Sequence, residues 1–314
     1  ALMYLLGTRL HSRWAGLLVA LLAILREINA LRLGATINTT HTRLLMSEYP
    51  TMLAILAFTL AGAAAPLIAP YDPDAFSLSS SLVPPSQENL LGTDFLGRDI
   101  LSRLIYGTRI SMFVGVAATL VGFTIGVPLG AISGYYGGWV DMVMQRIVDM
   151  MFALPGILLA ILLASMLGVG LRNVVVAIGV GSIPLFIRLM RGTVLSVRAQ
   201  DYVLASHALG GSGAHILRRH VIPNSLGPVL VQATLNVAIT IPAAAGLGFL
   251  GLGVEPDIPE WGVMLAEGRQ YIFRAPHIAA APSVAIMFVT IGFNFLGDGL
   301  RELLDPLSSK ERNA

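Results

Sequence analysis

The chain has 314 residues, of which 55% are hydrophobic and only 12% charged, with a net charge of +2 and a mean hydropathy of +0.76. Soluble domains carry about 25% charged residues, so roughly half the charge needed to wet an ordinary surface is present, and the abundance of apolar side chains excludes disorder. Cysteine is absent, which excludes disulfides, thiolate nucleophiles and Cys-ligated zinc. The pI near 9.1 does not point to nucleic acid, because the arginines are scattered rather than gathered on one face. These numbers describe an integral membrane protein.

In chain order, residues 1–50 are expected to form an N-terminal cytoplasmic or interfacial segment. Its apolar run at 14–25 is flanked by Arg9, Arg13 and Arg26, too short to cross a hydrocarbon layer that needs about 20 residues per helix. Six longer apolar stretches follow, near 51–69, 109–132, 147–168, 173–190, 225–250 and 278–297. None alternates as a barrel strand would, so an all-α membrane protein with six transmembrane helices is expected.

Residues 51–108 hold the first span and an outer loop. Within that loop the amphipathic stretch 99–106 predicts a capped interfacial helix, with Leu101, Leu104 and Ile105 turned to the membrane. Gly122, Gly126 and Gly130 recur at four-residue spacing, which lets a neighbouring backbone approach closely or lines a lumen with small residues. Pro128, Pro155, Pro184 and Pro242 interrupt apolar runs. Arg146 and Asp149 are spaced to pair, Arg188 sits near a helix end, and Asp298 closes the last span. With six spans both termini share a side. Fourteen Arg and Lys fall on that side against six on the other, which predicts cytoplasmic termini.

Several motifs carry no chemistry. Gly246, Gly248 and Gly251 match the dinucleotide fingerprint, but no strand precedes them; close helix contact or a break at the membrane edge explains them better. The single lysine, Lys310, has no phosphate-binding loop around it. No histidine has a metal-binding spacing, no nucleophile elbow occurs, and carboxylates are missing from the middle of the spans, where ion-coupled carriers place them. No catalytic residue, metal site or bound cofactor is expected in this chain.

The stretch 191–224 does carry a signal. Asp201 is expected to N-cap a short helix ended by Gly210 as its C′ glycine. Ser212 is expected to cap a second short helix running through about His220 and stopped at Pro223. Leu204, Leu209, Ile216 and Leu217 give the pair apolar faces that need a partner surface.

The run Ala205, Ser206, His207, Ala208, Leu209, Gly210, then nine residues, then His220 to Pro223, resembles the EAA loop of ABC-importer permeases. Leu204 stands where that family has glutamate, and Ser206 where it has its second alanine. LLGTDFLGRDILSRLIYGTRIS at 90–111, SGYYGGWVD at 133–141, LGFLGLG at 247–253, PEWGVML at 259–265 and FNFLGDGLRELLDP at 293–306 are similar to the second-type permease subunit of dipeptide, oligopeptide and nickel importers. The resemblance implies a type I permease core over 109–298, a cytoplasmic tail at 299–314, and a two-helix coupling loop comprising Asp201, Leu204, Ala205, Ser206, Leu209, Gly210, Ile216, His220 and Pro223. It also implies a homologous partner permease, two cytoplasmic ATPases that bind ATP and Mg, an extracytoplasmic substrate-binding protein, and short peptides as cargo, with nickel or glutathione as the alternative. A stand-alone carrier is the rival from another class.

Overall fold

A computed structural model describes residues 64–304 together with Leu60 and Gly62. The expectations for 1–50, for most of the first span and for the tail beyond 304 lie outside the described residues. Ten helices are labelled here: α1 (Ala65–Ile68), α2 (Ile100–Tyr136), α3 (Gly138–Phe152), α4 (Gly156–Leu167), α5 (Leu171–Arg198), α6 (Asp201–Ala208), α7 (Gly213–Ile216), α8 (Ile222–Phe249), α9 (Trp261–Gly268) and α10 (His277–Leu304). Among the described residues there is no strand beyond one isolated bridge, Thr93 to Asp99. Four helical stretches are long and apolar enough to cross a membrane, or five if the bent pair α3–α4 is one span.

α2 starts at an N-cap: the Asp99 carboxylate accepts from the Ser102 N–H at 2.8 Å and the Ser102 hydroxyl at 2.7 Å, satisfying a donor the first turn leaves unpaired. Nothing then stops the helix for 37 residues, until Gly137 at φ +65°. The stretch 99–106 is therefore not a separate interfacial helix but the first two turns of α2, and the division at 108/109 falls inside one rod. Ser102 and Arg103 are buried, and Leu104 packs on the core around Trp261 rather than facing lipid.

Three further expectations are corrected. The span at 147–168 is broken at 153–155, where α3 and α4 meet at 85°; Pro155 has no N–H to continue a helix. Asp149 pairs with Arg188 of α5 at 2.7 Å rather than with Arg146, because the Arg188 guanidinium is also drawn over the Phe152 ring at 4.5 Å. Asp298 does not end the last span, since α10 runs on to Leu304. Pro128, Pro184 and Pro242 lie inside continuous helices.

The bundle is organised by one face of α2. A Cβ on Gly122 would come within 2.7 Å of Ser182 Cβ, one on Gly126 within 2.6 Å of Phe186 Cβ, and one on Gly130 within 2.5 Å of the Ile187 carbonyl oxygen. The glycine repeat thus seats α2 directly on the backbone of α5 and does not line a lumen. α8 crosses both helices, and its Asn236 Nδ2 donates to Thr119 of α2 and Ser182 of α5, each at 3.2 Å. Thr240 donates to the Gly115 carbonyl at 2.9 Å. In a bilayer these polar groups have no water to turn to, so they must be satisfied within the protein.

Gly130→Val is expected to force α2 away from α5 and destabilise the bundle by about 1–3 kcal/mol. Gly192→Ala, where an added Cβ meets nothing within 4 Å, is expected to be neutral or slightly stabilising. Thermal unfolding of the two variants in detergent separates them; equal midpoints would contradict the close-contact role of Gly130.

Candidate docking loop

The loop between α5 and α8 begins where α5 ends at Arg198. Arg198 turns back and donates from Nη1 to the carbonyls of Tyr135 at 2.6 Å and Gly134 at 3.3 Å, capping the end of α2 with a cation. α6 follows after a two-residue break. Its N-cap is Gln200, in extended backbone, and no side chain caps it. Asp201 is therefore not the cap but the first helical residue, exposed, where a carboxylate still suits the positive end of the helix.

The turn after α6 closes as sequence predicts. Gly210 has φ +82°, its N–H donates to His207 O at 3.0 Å, and Gly211 N–H donates to Ser206 O at 3.1 Å. This pair of bonds is a Schellman motif, which requires a left-handed residue at the Gly210 position. Ser212 occupies the N-cap of α7 by its backbone, accepting from Ile216 N–H at 3.0 Å, with no side-chain cap.

The second helix does not stop at Pro223. Residues Leu217–Val221 form a π-helical turn in which Ile222 N–H reaches Leu217 O, and α8 continues from it, so helix runs without a gap from Gly213 to Phe249. Pro223 falls in the first turn of α8. There its missing N–H costs little, because the widened i→i−5 turn before it has already changed the bonding register.

The four apolar side chains split into two pairs. Ile216 and Leu217 are buried with Val203, Tyr135, Met190 and Val194, tying the loop to the C-terminal ends of α2 and α5. Leu204 and Leu209 point outward, 55% and 89% exposed, beside Tyr202. Ala205 is exposed, Ser206 and His220 are half-buried, and Pro223 is exposed. Two cationic residues, Arg218 and Arg219, are exposed on the same segment next to His215, which meets the His220 ring edge-on at 6.0 Å. Tyr135 and His207, joined by a 3.1 Å hydrogen bond, belong to this site and were not singled out from the sequence. Only the position of Tyr135 beside the Gly137–Gly138 break could have marked it.

At the far end of the bundle a second polar centre holds the segment that precedes α2. Arg98 bonds Asp94 at 2.5 Å and Glu267 of α9 at 3.0 Å, and the buried Arg103 lies 3.7 Å from Glu267. Next to it the Glu260 carboxylate accepts from Gly262 N–H at 2.8 Å, Val263 N–H at 3.0 Å and Ser111 Oγ at 2.9 Å. Burial pushes that carboxyl up from its ordinary range, against these donors. No group of three or more potential metal-binding side chains occurs among the described residues.

A bundle of four or five apolar helical stretches long enough to cross a membrane, joined by a two-helix loop, fits the type I importer permease fold. In agreement, the inward-facing methionine transporter MetNI matches with a TM-score of 0.54 at 22% identity, covering 66% of this chain and 98% of that one. Residues 126–310 match the model of the binding-protein-dependent transport system inner membrane component. The dipeptide transport system permease protein DppC of Alkalihalophilus pseudofirmus is 44% identical over 81% of this chain and 84% of its own. The glutathione transport system permease protein GsiD of Pectobacterium atrosepticum is 47% identical over 71% and 74%. The chain belongs to the family of binding-protein-dependent transport system inner membrane components, the permeases of ABC importers.

Gly210→Val is expected to leave the protein in the membrane at normal abundance, since an added side chain meets nothing within 4 Å, while straining the turn by about 1–3 kcal/mol. Gly210→Asn, which tolerates left-handed backbone, should keep most of the uptake by the assembled transport system that Gly210→Val loses. Full uptake by a normally abundant valine variant would remove the loop from the transport cycle.

Proposed function

We propose that this chain is the permease subunit of an ATP-driven importer of short peptides, forming half of the translocation pathway beside a homologous partner permease. Two cytoplasmic ATPases, which bind ATP and Mg, dock on the loop at 199–224. An extracytoplasmic binding protein delivers the peptide to the face bearing α9. ATP binding draws the ATPases together, and the loop passes that movement to the bundle, converting the pathway between inward- and outward-facing states. The observation that carries this reading is the outward pair Leu204 and Leu209 on a rigidly turned loop: exposed leucines on short helices are buried by a partner surface. The coupling role extends to Asp201, Ala205, Ser206, Gly210, Ile216, His220 and Pro223, which build that surface or hold its shape.

The excess of Arg and Lys on one side supports placing both termini and the loop in the cytoplasm of a bacterial cell, with the bundle in the inner membrane. Because the chain has no cysteine, Ser212→Cys reports this directly. The thiol is expected to resist an impermeant maleimide added outside intact cells and to react after permeabilisation; labelling of intact cells would reverse the topology.

Glutathione, itself a short peptide, is the second reading, supported by the 47% identity to a glutathione permease. Proteoliposomes containing the full transporter and its binding protein separate the two. Uptake of a labelled dipeptide is expected, and competition by excess dipeptide but not by glutathione assigns the main reading. Competition in the opposite sense assigns the second, and uptake of neither overturns both.

A further inference from the structure

Tyr135 is the last residue but one of α2 and is 7% exposed. Its hydroxyl lies 3.1 Å from His207 Nε2 of α6, and the two rings lie nearly parallel, 14° apart in plane with centroids separated by 6.3 Å. A Cβ built on Gly213, at the start of α7, would be 3.5 Å from the Tyr135 ring and 3.7 Å from its hydroxyl. Its carbonyl oxygen accepts from Arg198 at the end of α5 at 2.6 Å. One residue at the tip of α2 is therefore fixed to the end of α5, bonded to the first loop helix and wedged against the second.

The tip itself is anchored. Gly137, with φ +65°, donates from its N–H to Ser133 O at 3.1 Å and ends the helix abruptly. Ser133 Oγ donates to Asp141 of α3 at 2.6 Å, and Asp141 is paired with Arg191 of α5. At 1.5 Å per residue, the 37 residues of α2 form a rod about 55 Å long. Its other end carries Arg103, beside Glu267 of α9 and the outer loop. A movement of α6 must then either shift the rod or break the Tyr135–His207 contact.

We propose that Tyr135, through its hydrogen bond to His207, is the positioning residue that transmits displacement of the docking loop into α2 and so to the outer face. This rests on the coupling reading of the loop given above. The bond is directional and the ring lies between α6 and α7, so the contact links the position of both loop helices to the end of α2. The exposed Leu204 and Leu209 bind the partner; Tyr135, itself buried, acts through His207.

The test uses the complete transporter, co-purified with its partner permease and ATPases and reconstituted in liposomes with its binding protein and a labelled dipeptide, with uptake and ATP hydrolysis measured together. Tyr135→Phe keeps the ring and removes only the hydroxyl. His207→Ala removes the other half of the bond, while His207→Gln keeps a group able to bond the hydroxyl. One net hydrogen bond corresponds to about a two- to tenfold change. Uptake per ATP hydrolysed is expected to fall by that factor in Tyr135→Phe and in His207→Ala, to fall no further in the double variant, and to be largely rescued in His207→Gln. Wild-type uptake per ATP in Tyr135→Phe overturns the proposal. So does a loss of complex yield with uptake per ATP unchanged, which marks a purely structural contact. Failure of the wild-type complex to couple any uptake to ATP would instead overturn the importer reading itself.

Discussion

The backbone-to-backbone contact of α2 on α5 is the constraint from which the other features follow. A bilayer offers little hydrophobic drive for one helix to leave lipid for another, so association depends on close van der Waals approach and internal hydrogen bonds. Gly122, Gly126, Gly130 and Gly134 supply the approach along four successive turns, with Gly179 of α5 meeting Val121 from the opposite side. That approach is also what brings Ser182 and Thr119 within reach of Asn236, so the polar knot is a consequence of the glycines rather than an independent fastening.

The same contact fixes both ends of the molecule. At one end it places Met190 and Val194 of α5 beside Tyr135, forming the pocket that takes up Val203, Ile216 and Leu217 from the loop. At the other end, α2 carries Ser111 to the buried Glu260 that caps α9 and Arg103 to the half-buried Glu267 within it. Paired buried charges of this kind add little net stability, because desolvation offsets much of the attraction. Their effect is to specify one seating of the outer loop and α9. Removing one partner would leave the other charge dry.

The docking loop combines two opposite demands on apolar side chains. Half of its leucine and isoleucine surface is used inward to hold the loop against the bundle, and half is left outward. The Schellman turn at Gly210 sets the angle between the two sets, and the π turn at Leu217–Val221 lets the second helix merge into α8 instead of ending. The loop is thereby joined to the bundle by continuous helix on one side and by the Tyr135 contact on the other.

Composition alone determined the membrane class, since 12% charge cannot wet a surface. The glycine spacing marked one face of α2 without deciding between close packing and a lumen, and the Gly210 turn was legible because a helix stop with adjacent glycines has few other geometries. Local rules failed where a neighbour in space competes with a neighbour in sequence. Asp149 is spaced to bond Arg146, but Arg188 arrives from another helix with Phe152 beneath it. Pro223 reads as a stop until a π turn changes the bonding register before it. The stretch 99–106 reads as a surface helix until packing on Trp261 keeps it in line with α2. Which of four similar loop side chains face inward, and that Tyr135 meets His207 across 72 positions of chain, depended on the approach of α2 to α5. No periodicity within a segment records that distance, because it is set by the atoms of both helices together.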